Sequence, residues 1–312
     1  MGATHEFLSE QEKRDLGFGA IMSNQPGLRL LNRDGSFNVR RRRTGLRERL
    51  GDYVGLLTTP WPVFFTVLVL AYLALNALFA LLYQFCGPDA LAGGGSANFA
   101  RAFFFSVHTF ATIGYGNIVP ATLAANLLVT LESMVGLISF ALATGIIFAR
   151  FARPTAHIIY SRRAVVAPYR GITAFMFRII NGRDNELINL EARVMLTRFE
   201  MVDGRPQRRY HTLALERERV AFFPLNWTIV HPIEASSPLA GWDQQRLLAS
   251  NAEFLILLTG TDDMLAQTVH SRSSYSAAEV EWGVSFVSLV AADGGQLTVD
   301  MDRFHQIQRV ES

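Results

Sequence analysis

One stretch constrains this chain more than any other: Thr112-Ile113-Gly114-Tyr115-Gly116. It is short, uncharged and carries two glycines. Apolar residues lead into it from Phe99 to Phe110 and away from it from Ala121 to Phe151, and a further apolar run, Val63 to Tyr83, lies upstream. The upstream run is about twenty residues, enough to cross a hydrocarbon core of ~30 Å. The downstream run is about thirty residues, or ~45 Å as a helix, so its last turns must tilt or project from the membrane. The middle run is only ~18 Å long as a helix and cannot cross. It reads as re-entrant, with Asn98 as its N-cap. Non-helical backbone at membrane depth is tolerated only where protein or a water-filled cavity surrounds it. Residues 112–116 must therefore line something.

The net charge of the 312-residue chain is only +2, but the charges are unevenly placed. Arg40, Arg41, Arg42, Arg43, Arg47 and Arg49 precede the first span, and Arg150, Arg153, Arg162 and Arg163 follow the last. Between the spans, Cys86 to Val119 holds only Asp89 and Arg101. The positive-inside rule puts both termini in the cytoplasm. Beside a span, the basic run at 40–43 fits anionic lipid as partner rather than nucleic acid. The lone cysteine, Cys86, excludes a disulfide within the chain. The first twenty residues contain no apolar core, so no cleaved signal peptide is expected.

The spacing divides the chain into four parts. Residues 1–43 form a cytoplasmic N-terminal arm, with 1–35 expected to be mostly disordered. Residues 44–58 carry Leu46, Leu50, Val54 and Leu57 at helical steps among charges, which suggests an amphipathic helix. It either lies on the membrane surface or packs on the soluble part. Residues 59–153 form the membrane part: a span at about 60–85, a short helix at 98–110, the loop 112–116 and a second span at about 121–151. Pro60 and Pro62 break the preceding helix, and Trp61 suits the interface belt. From 154 to 312 the pattern changes to short alternating segments, with strand candidates at 172–180, 191–196, 209–216, 225–233, 253–259, 279–290 and 296–300 and a helix at 242–250. Many short strands with regular turns predict an antiparallel sandwich.

Glycine reaches backbone conformations that a Cβ forbids. In 112–116 that freedom would let successive carbonyls face one axis and replace the hydration shell of a cation. The stretch resembles the potassium channel signature, which places K⁺ at Thr112, Ile113, Gly114 and Tyr115. The C-terminal end of the short helix would add a negative dipole end towards the same cavity.

Further stretches are similar to the prokaryotic inward-rectifier potassium channels (the KirBac family). They are Phe148-Ala149-Arg150-Phe151-Ala152-Arg153-Pro154, Asn226 to Ile233, Arg272 to Tyr275, and Glu281-Trp282-Gly283. The resemblance covers roughly residues 30–305. It implies passive K⁺ conduction by a homotetramer in a bacterial-type inner membrane. It also implies an immunoglobulin-like cytoplasmic sandwich and K⁺ ions in the filter with no organic cofactor.

The resemblance also assigns residues. Phe148 matches the position that narrows the inner helices. Phe140 matches the cavity position where strongly rectifying relatives carry an acid. No acid lies between Ser133 and Ala149, so polyamine or Mg²⁺ block is expected to be weak. Arg150 and Arg153, with Trp61 at the interface, match the region that contacts phosphoinositide headgroups; a simple positive-inside anchor is the other reading. Thr261, Asp262, Asp263 and Met264 fall at a second, cytoplasmic constriction where acids would attract cations; surface turn acids are the other reading. His108 stands where relatives often carry Glu or Gln behind the filter. It is either a pH-responsive group or a neutral structural one. Glu132, the only acid of the second span, is expected to be a paired acid behind the pore.

An enzyme is not expected: no G-x-G-x-x-G or G-x-x-x-x-G-K-[ST] follows a strand, and no H-E-x-x-H or Cys pair is present. The competing reading is a membrane-anchored binding or signalling protein whose pore is vestigial or non-selective.

Overall fold

The computed structural model of the protein describes residues 28–38, 53–95, 98–152, 156–183, 185–202, 204–223, 226–293 and 296–310. The chain divides into two compact units, Arg41–Arg153 and Met1–Arg40 with Pro154–Ser312.

The first unit contains helices α1 (Tyr53–Thr58), α2 (Trp61–Phe85), α3 (Phe99–Phe110) and α4 (Leu123–Phe151) and short strands β1 (Leu91–Gly93) and β2 (Ile118–Pro120). Each boundary has a local cause. Pro60 caps α2 in an extended conformation and Pro62 occupies its first turn, where no N–H is needed. The Asn98 side chain accepts from the Arg101 N–H at 2.9 Å and starts α3. The Thr122 hydroxyl accepts from the Ala125 N–H at 3.2 Å and starts α4. Of the predicted amphipathic helix at 44–58, only Tyr53–Thr58 is described, and it is helical; 44–52 lie outside the described residues. The α2–α3–α4 core is built from Phe79, Ala80, Tyr83, Ala102, Phe105 and Ala125. Gly136 of α4 comes so close to α3 that a Cβ there would stand 2.9 Å from the Phe110 carbonyl oxygen.

Two helices, α2 and α4, are long and apolar enough to cross a membrane. Only 6 % of the most apolar window of α4 is buried within the chain. A helix that apolar and that bare must be covered by lipid, by other copies, or by both.

The second unit is mainly β. One five-stranded sheet joins β6 (Leu187–Val202), β7 (Arg205–Leu213), β8 (Arg219–Phe223), β10 (Glu253–Asp262) and β11 (Gln267–Ser276). Its order is β11-β10-β6-β7, with β8 also on β6. The other joins β3 (Ile158–Tyr160), β4 (Ala164–Tyr169), β5 (Ile172–Asn181), β9 (Asn226–Pro232) and β12 (Val280–Trp282), in the order β12-β4-β5-β3 with β9 on β5. Only β4–β12 is parallel within these sheets. Side chains of both sheets meet in one core: Phe175 stacks on Phe254 with ring centroids 4.1 Å apart, beside Val166, Ile229, Leu196 and Tyr275. This is a two-sheet sandwich, the class the alternating pattern predicts. The predicted segment 279–290 is broken: Gly283, at φ +71°, separates β12 from β13 (Val284–Phe286). Two small antiparallel pairs complete the unit, β13 with β16 (Ile307–Arg309) and, between them in the chain, the hairpin β14 (Val290–Asp293) with β15 (Gln296–Val299). Helix α5 (Gln244–Ala249) begins at the Asp243 cap.

The N-terminal arm departs from expectation. Residues 28–38 are not free chain but are docked on the sandwich. Leu30 and Leu31 are buried against Leu255, and the Leu30 and Leu31 N–H groups donate to the Glu253 carboxylate at 2.8 and 3.1 Å. Arg29 donates to Ser274 and pairs with Glu279 at 3.0 Å; Arg33 donates to the Ser161 carbonyl at 2.6 Å and lies over the Tyr275 ring. Burial alone would raise the Glu279 carboxyl, but the Ser276 N–H and the Arg29 guanidinium hold it below its ordinary value.

Candidate ion-conduction site

Thr112–Gly116 leave the C-terminal end of α3 in a conformation only part of which an L-residue accepts readily. Gly114 has φ +60° and Gly116 φ +76°, and Thr112 is also left-handed at +55°. A Cβ at either glycine would meet nothing within 4 Å, so the requirement is conformational and not steric crowding. The loop is held from behind by its N–H groups. The His108 carbonyl accepts from the Ile113 N–H at 2.7 Å and from the Gly114 N–H at 3.3 Å, and the Thr112 N–H donates to Thr109 at 3.0 Å. Among the described residues no hydrogen bond ends on the carbonyl oxygens of 112–116. Within a single chain Ile113 is 44 % and Tyr115 73 % exposed. A row of carbonyls with no partner within the chain needs polar partners from outside it.

Beyond the loop the chain is pinned again. Strand β2 pairs with β1, with Ile118 opposite Gly93 and Pro120 opposite Leu91. Gly93 is required here: its φ is +80°, and a Cβ would stand 2.3 Å from the Asn117 carbonyl oxygen.

The sequence suggests His108 and Glu132 as residues that support the loop. The His108 ring contacts the Tyr115 ring edge-on, with centroids 5.0 Å apart, while its backbone carbonyl makes the hydrogen bonds to the loop. The loop is thus tied to His108 through main chain, and among the described residues the imidazole makes no hydrogen bond to it. Glu132 is fully buried and contacts the Tyr83 and Ser106 hydroxyls. It is paired, but with two neutral groups and no cation among the described residues.

Phe140 and Phe148 both project from α4 and are 76 % and 73 % exposed within one chain. Arg150 is turned inward. Its Nη2 donates to the Thr59 carbonyl at 2.5 Å and its Nη1 to the Leu56 carbonyl, at the end of α1. The guanidinium carbon lies 4.4 Å from the Trp61 ring centroid and 4.6 Å from that of Phe64, and Trp61 also packs on Phe151 at 5.0 Å. Both terminal nitrogens that would grip a headgroup phosphate are engaged by backbone. Arg153 lies outside the described residues.

The cytoplasmic acids also behave differently from expectation. Asp262 is buried, accepting from Asn185 Nδ2 at 2.6 Å and from the Leu265 N–H at 3.1 Å. It builds the turn after β10 and is withdrawn from solvent, which corrects its assignment as a cation-attracting group. Asp263 and Met264 are exposed on that turn, and Thr261 is half-buried. The sequence leaves Asn76 bonded either to a neighbouring helix or locally, and it does both, to Ser106 and to the Tyr72 carbonyl; Ser106, which links Asn76 to Glu132, is signalled by no local pattern.

Comparison with known proteins now bears on this geometry. Residues 63–153 match the family described as ion channel, and residues 158–312 match the inward rectifier potassium channel C-terminal domain. The chain is 43 % identical over 284 residues to "Inward rectifier potassium channel Kirbac3.1" of Paramagnetospirillum magnetotacticum, covering 89 % of this chain and 95 % of that one. The chain belongs to the inward rectifier potassium channel family. It is also 29 % identical over 248 residues to "Inward rectifier potassium channel 4" of Homo sapiens, covering 72 % of this chain and 55 % of the relative. Identity to "ATP-sensitive inward rectifier potassium channel 12" of Mus musculus is 28 %, over 81 % of this chain and 64 % of the other. The matched ranges cover both units of this inward rectifier: the ion channel range holds the loop, α3 and α4, and the C-terminal range holds the sandwich.

Proposed function

We propose that this inward rectifier conducts K⁺ passively through a homotetramer, with Thr112–Gly116 of four chains forming one filter. The observation that carries the reading is the row of carbonyl oxygens at 112–116 without hydrogen-bond partners, on a loop whose N–H groups are held from behind. One chain offers one wall; a ring of such walls supplies the oxygens that replace an ion's water shell. The bare apolar surface of α4 supports the same assembly, since other copies and lipid would both cover it. Two spans and a re-entrant helix leave both termini on one side, the cytoplasmic side by charge, in a bacterial-type inner membrane. Phe148 is the proposed narrowing at the inner end. Asp263 and Met264 line the proposed cytoplasmic constriction. Phe140, apolar at the cavity position, gives Mg²⁺ or polyamines no charge to bind. Flux into liposomes holding the purified protein tests the reading. Uptake of K⁺ and Rb⁺ but not Na⁺ is expected. Equal Na⁺ uptake would mean a non-selective pore.

Modulation by anionic lipid belongs to the same proposal, with Arg153 and the basic run 40–43 as its contacts. Arg150 supports a different role: it joins α1 to the end of α4. A lysine cannot reach two carbonyls with one fork. Arg150→Lys is therefore expected to change open probability by about tenfold, the worth of one charge-assisted hydrogen bond, while phosphoinositide binding to the protein in vesicles stays within a factor of about two. Loss of phosphoinositide binding with unchanged gating would return Arg150 to the headgroup.

A further inference from the structure

Three helices meet in a fully buried polar cluster. Asn76 and Tyr83 come from α2, Ser106 from α3 and Glu132 from α4; the exposure of Asn76, Ser106 and Glu132 is 0 % and that of Tyr83 is 1 %. Asn76 Nδ2 donates to the Tyr72 carbonyl at 2.8 Å. Asn76 Oδ1 lies 3.0 Å from Ser106 Oγ, which also contacts Glu132 Oε1. The other carboxyl oxygen, Oε2, accepts from the Tyr83 hydroxyl at 2.5 Å.

The protons can be counted. A hydroxyl has one proton to donate. The end of the Asn76 amide that faces the Tyr72 carbonyl must be its nitrogen, because two acceptors cannot bond. Its oxygen therefore faces Ser106, so that this oxygen and Glu132 Oε1 both lie against one serine hydroxyl. The single serine proton can serve only one of them, and the other contact is left with no proton unless the carboxyl brings one of its own. An ionised Glu132 would also be a buried charge without a counterion. Among the described residues no Arg or His forms an ion pair with it. Arg101, the cation of α3, donates instead to the Leu91 and Gly95 carbonyls, and Arg150 to Leu56 and Thr59. Tyr72 of α2, Cys86 at its C-cap and His108 of α3, also titratable, make no hydrogen bond to it. A lone buried charge of this kind costs several kcal/mol, whereas a fully satisfied neutral network does not.

We infer that Glu132 holds a proton and, as a neutral acid, works as a positioning residue that fixes α3 between the two spanning helices. It accepts from Tyr83 of α2 and donates to Ser106 of α3. The carbonyl that anchors the filter loop, that of His108, sits on the same helix as Ser106, so a shift of α3 moves the loop. This rests on the channel reading for its effect on flux, but not for the proton itself.

Glutamine has the same shape and the same count: Oε1 accepts from Tyr83 and Nε2 donates to Ser106. Glu132→Gln is therefore expected to keep flux and K⁺ over Na⁺ preference within a factor of about two of the native protein, and Glu132→Ala to lower selective flux by about tenfold or more. Infrared spectra of the full chain in bilayers should show a carboxylic acid C=O band at neutral pH that disappears in Glu132→Gln. Absence of any Glu132-dependent acid band, or damage by glutamine equal to that by alanine, would overturn the inference. If Glu132→Ala does not assemble, the glutamine variant and the band still decide it. If the native protein carries no flux at all, the channel reading fails and the band alone tests the proton.

Discussion

Replacing Gly114 by alanine is expected to abolish K⁺-selective flux. The backbone at 114 has φ +60° and, within one chain, nothing stands where the new methyl group would go. The damage is therefore conformational. A left-handed L-residue costs roughly 1–2 kcal/mol, so about 4–8 kcal/mol across the proposed ring of four chains. The loop would relieve that strain by rotating the 113–114 or 114–115 peptide, which turns a carbonyl away from the axis. Rb⁺ and Na⁺ uptake should be measured on protein whose assembly on a sizing column matches the native. Retained preference for Rb⁺ would show that the carbonyl row does not supply the selectivity.

Removing the Glu253 carboxylate should release the N-terminal arm. Glu253 is buried and accepts from the Leu30 and Leu31 N–H groups, with Arg29 and Arg208 at 3.9 and 4.0 Å. Glu253→Ala strands two buried N–H donors and is expected to cost about 3 kcal/mol of docking free energy. Limited proteolysis around residues 28–38 should then accelerate by about a hundredfold if cleavage follows the undocked population. Glu253→Gln keeps one acceptor and should fall between. Unchanged protection in the alanine variant would mean that the burial of Leu30 and Leu31 and the Arg29 and Arg33 contacts hold the arm without the carboxylate.

The parts of this fold that were legible in the sequence are those fixed by local pattern. Continuous apolar length gave α2 and α4, the Asn98 cap started α3, and the glycines marked the loop. Alternation revealed β5, β9 and β10. What was not legible depends on partners far away in the chain. The arm looked disordered because its arginines and polar residues find acceptors more than 120 residues away: Arg33 at Ser161, Leu30 at Glu253. Strand β11 (QTVHSRSSYS) was passed over because its serines, Ser273 and Ser274, are buried by contact with the arm and not by hydrophobicity. Arg150 read as a cation for lipid because a sequence gives charge but not direction; only the approach of α1 turns it inward. Asp262 was misread for the same reason.

The loop 112–116 is fixed at its start by the His108 carbonyl and closed beyond its end by the β1–β2 pair. It therefore has a set contour length between two anchors, with no slack to share. Substitution can change residue types here, as Ile113 where the potassium channel signature has Val shows, but not residue number. One residue inserted or deleted between His108 and Ile118 would either pull Ile118 out of register with Gly93 or tear the loop from His108. The turn from Gly87 to Asp89 sits before that clasp, which begins at Ala90, whose carbonyl accepts from the Ala121 N–H at 2.9 Å, and in that turn the chain can grow or shrink without drawing on the loop.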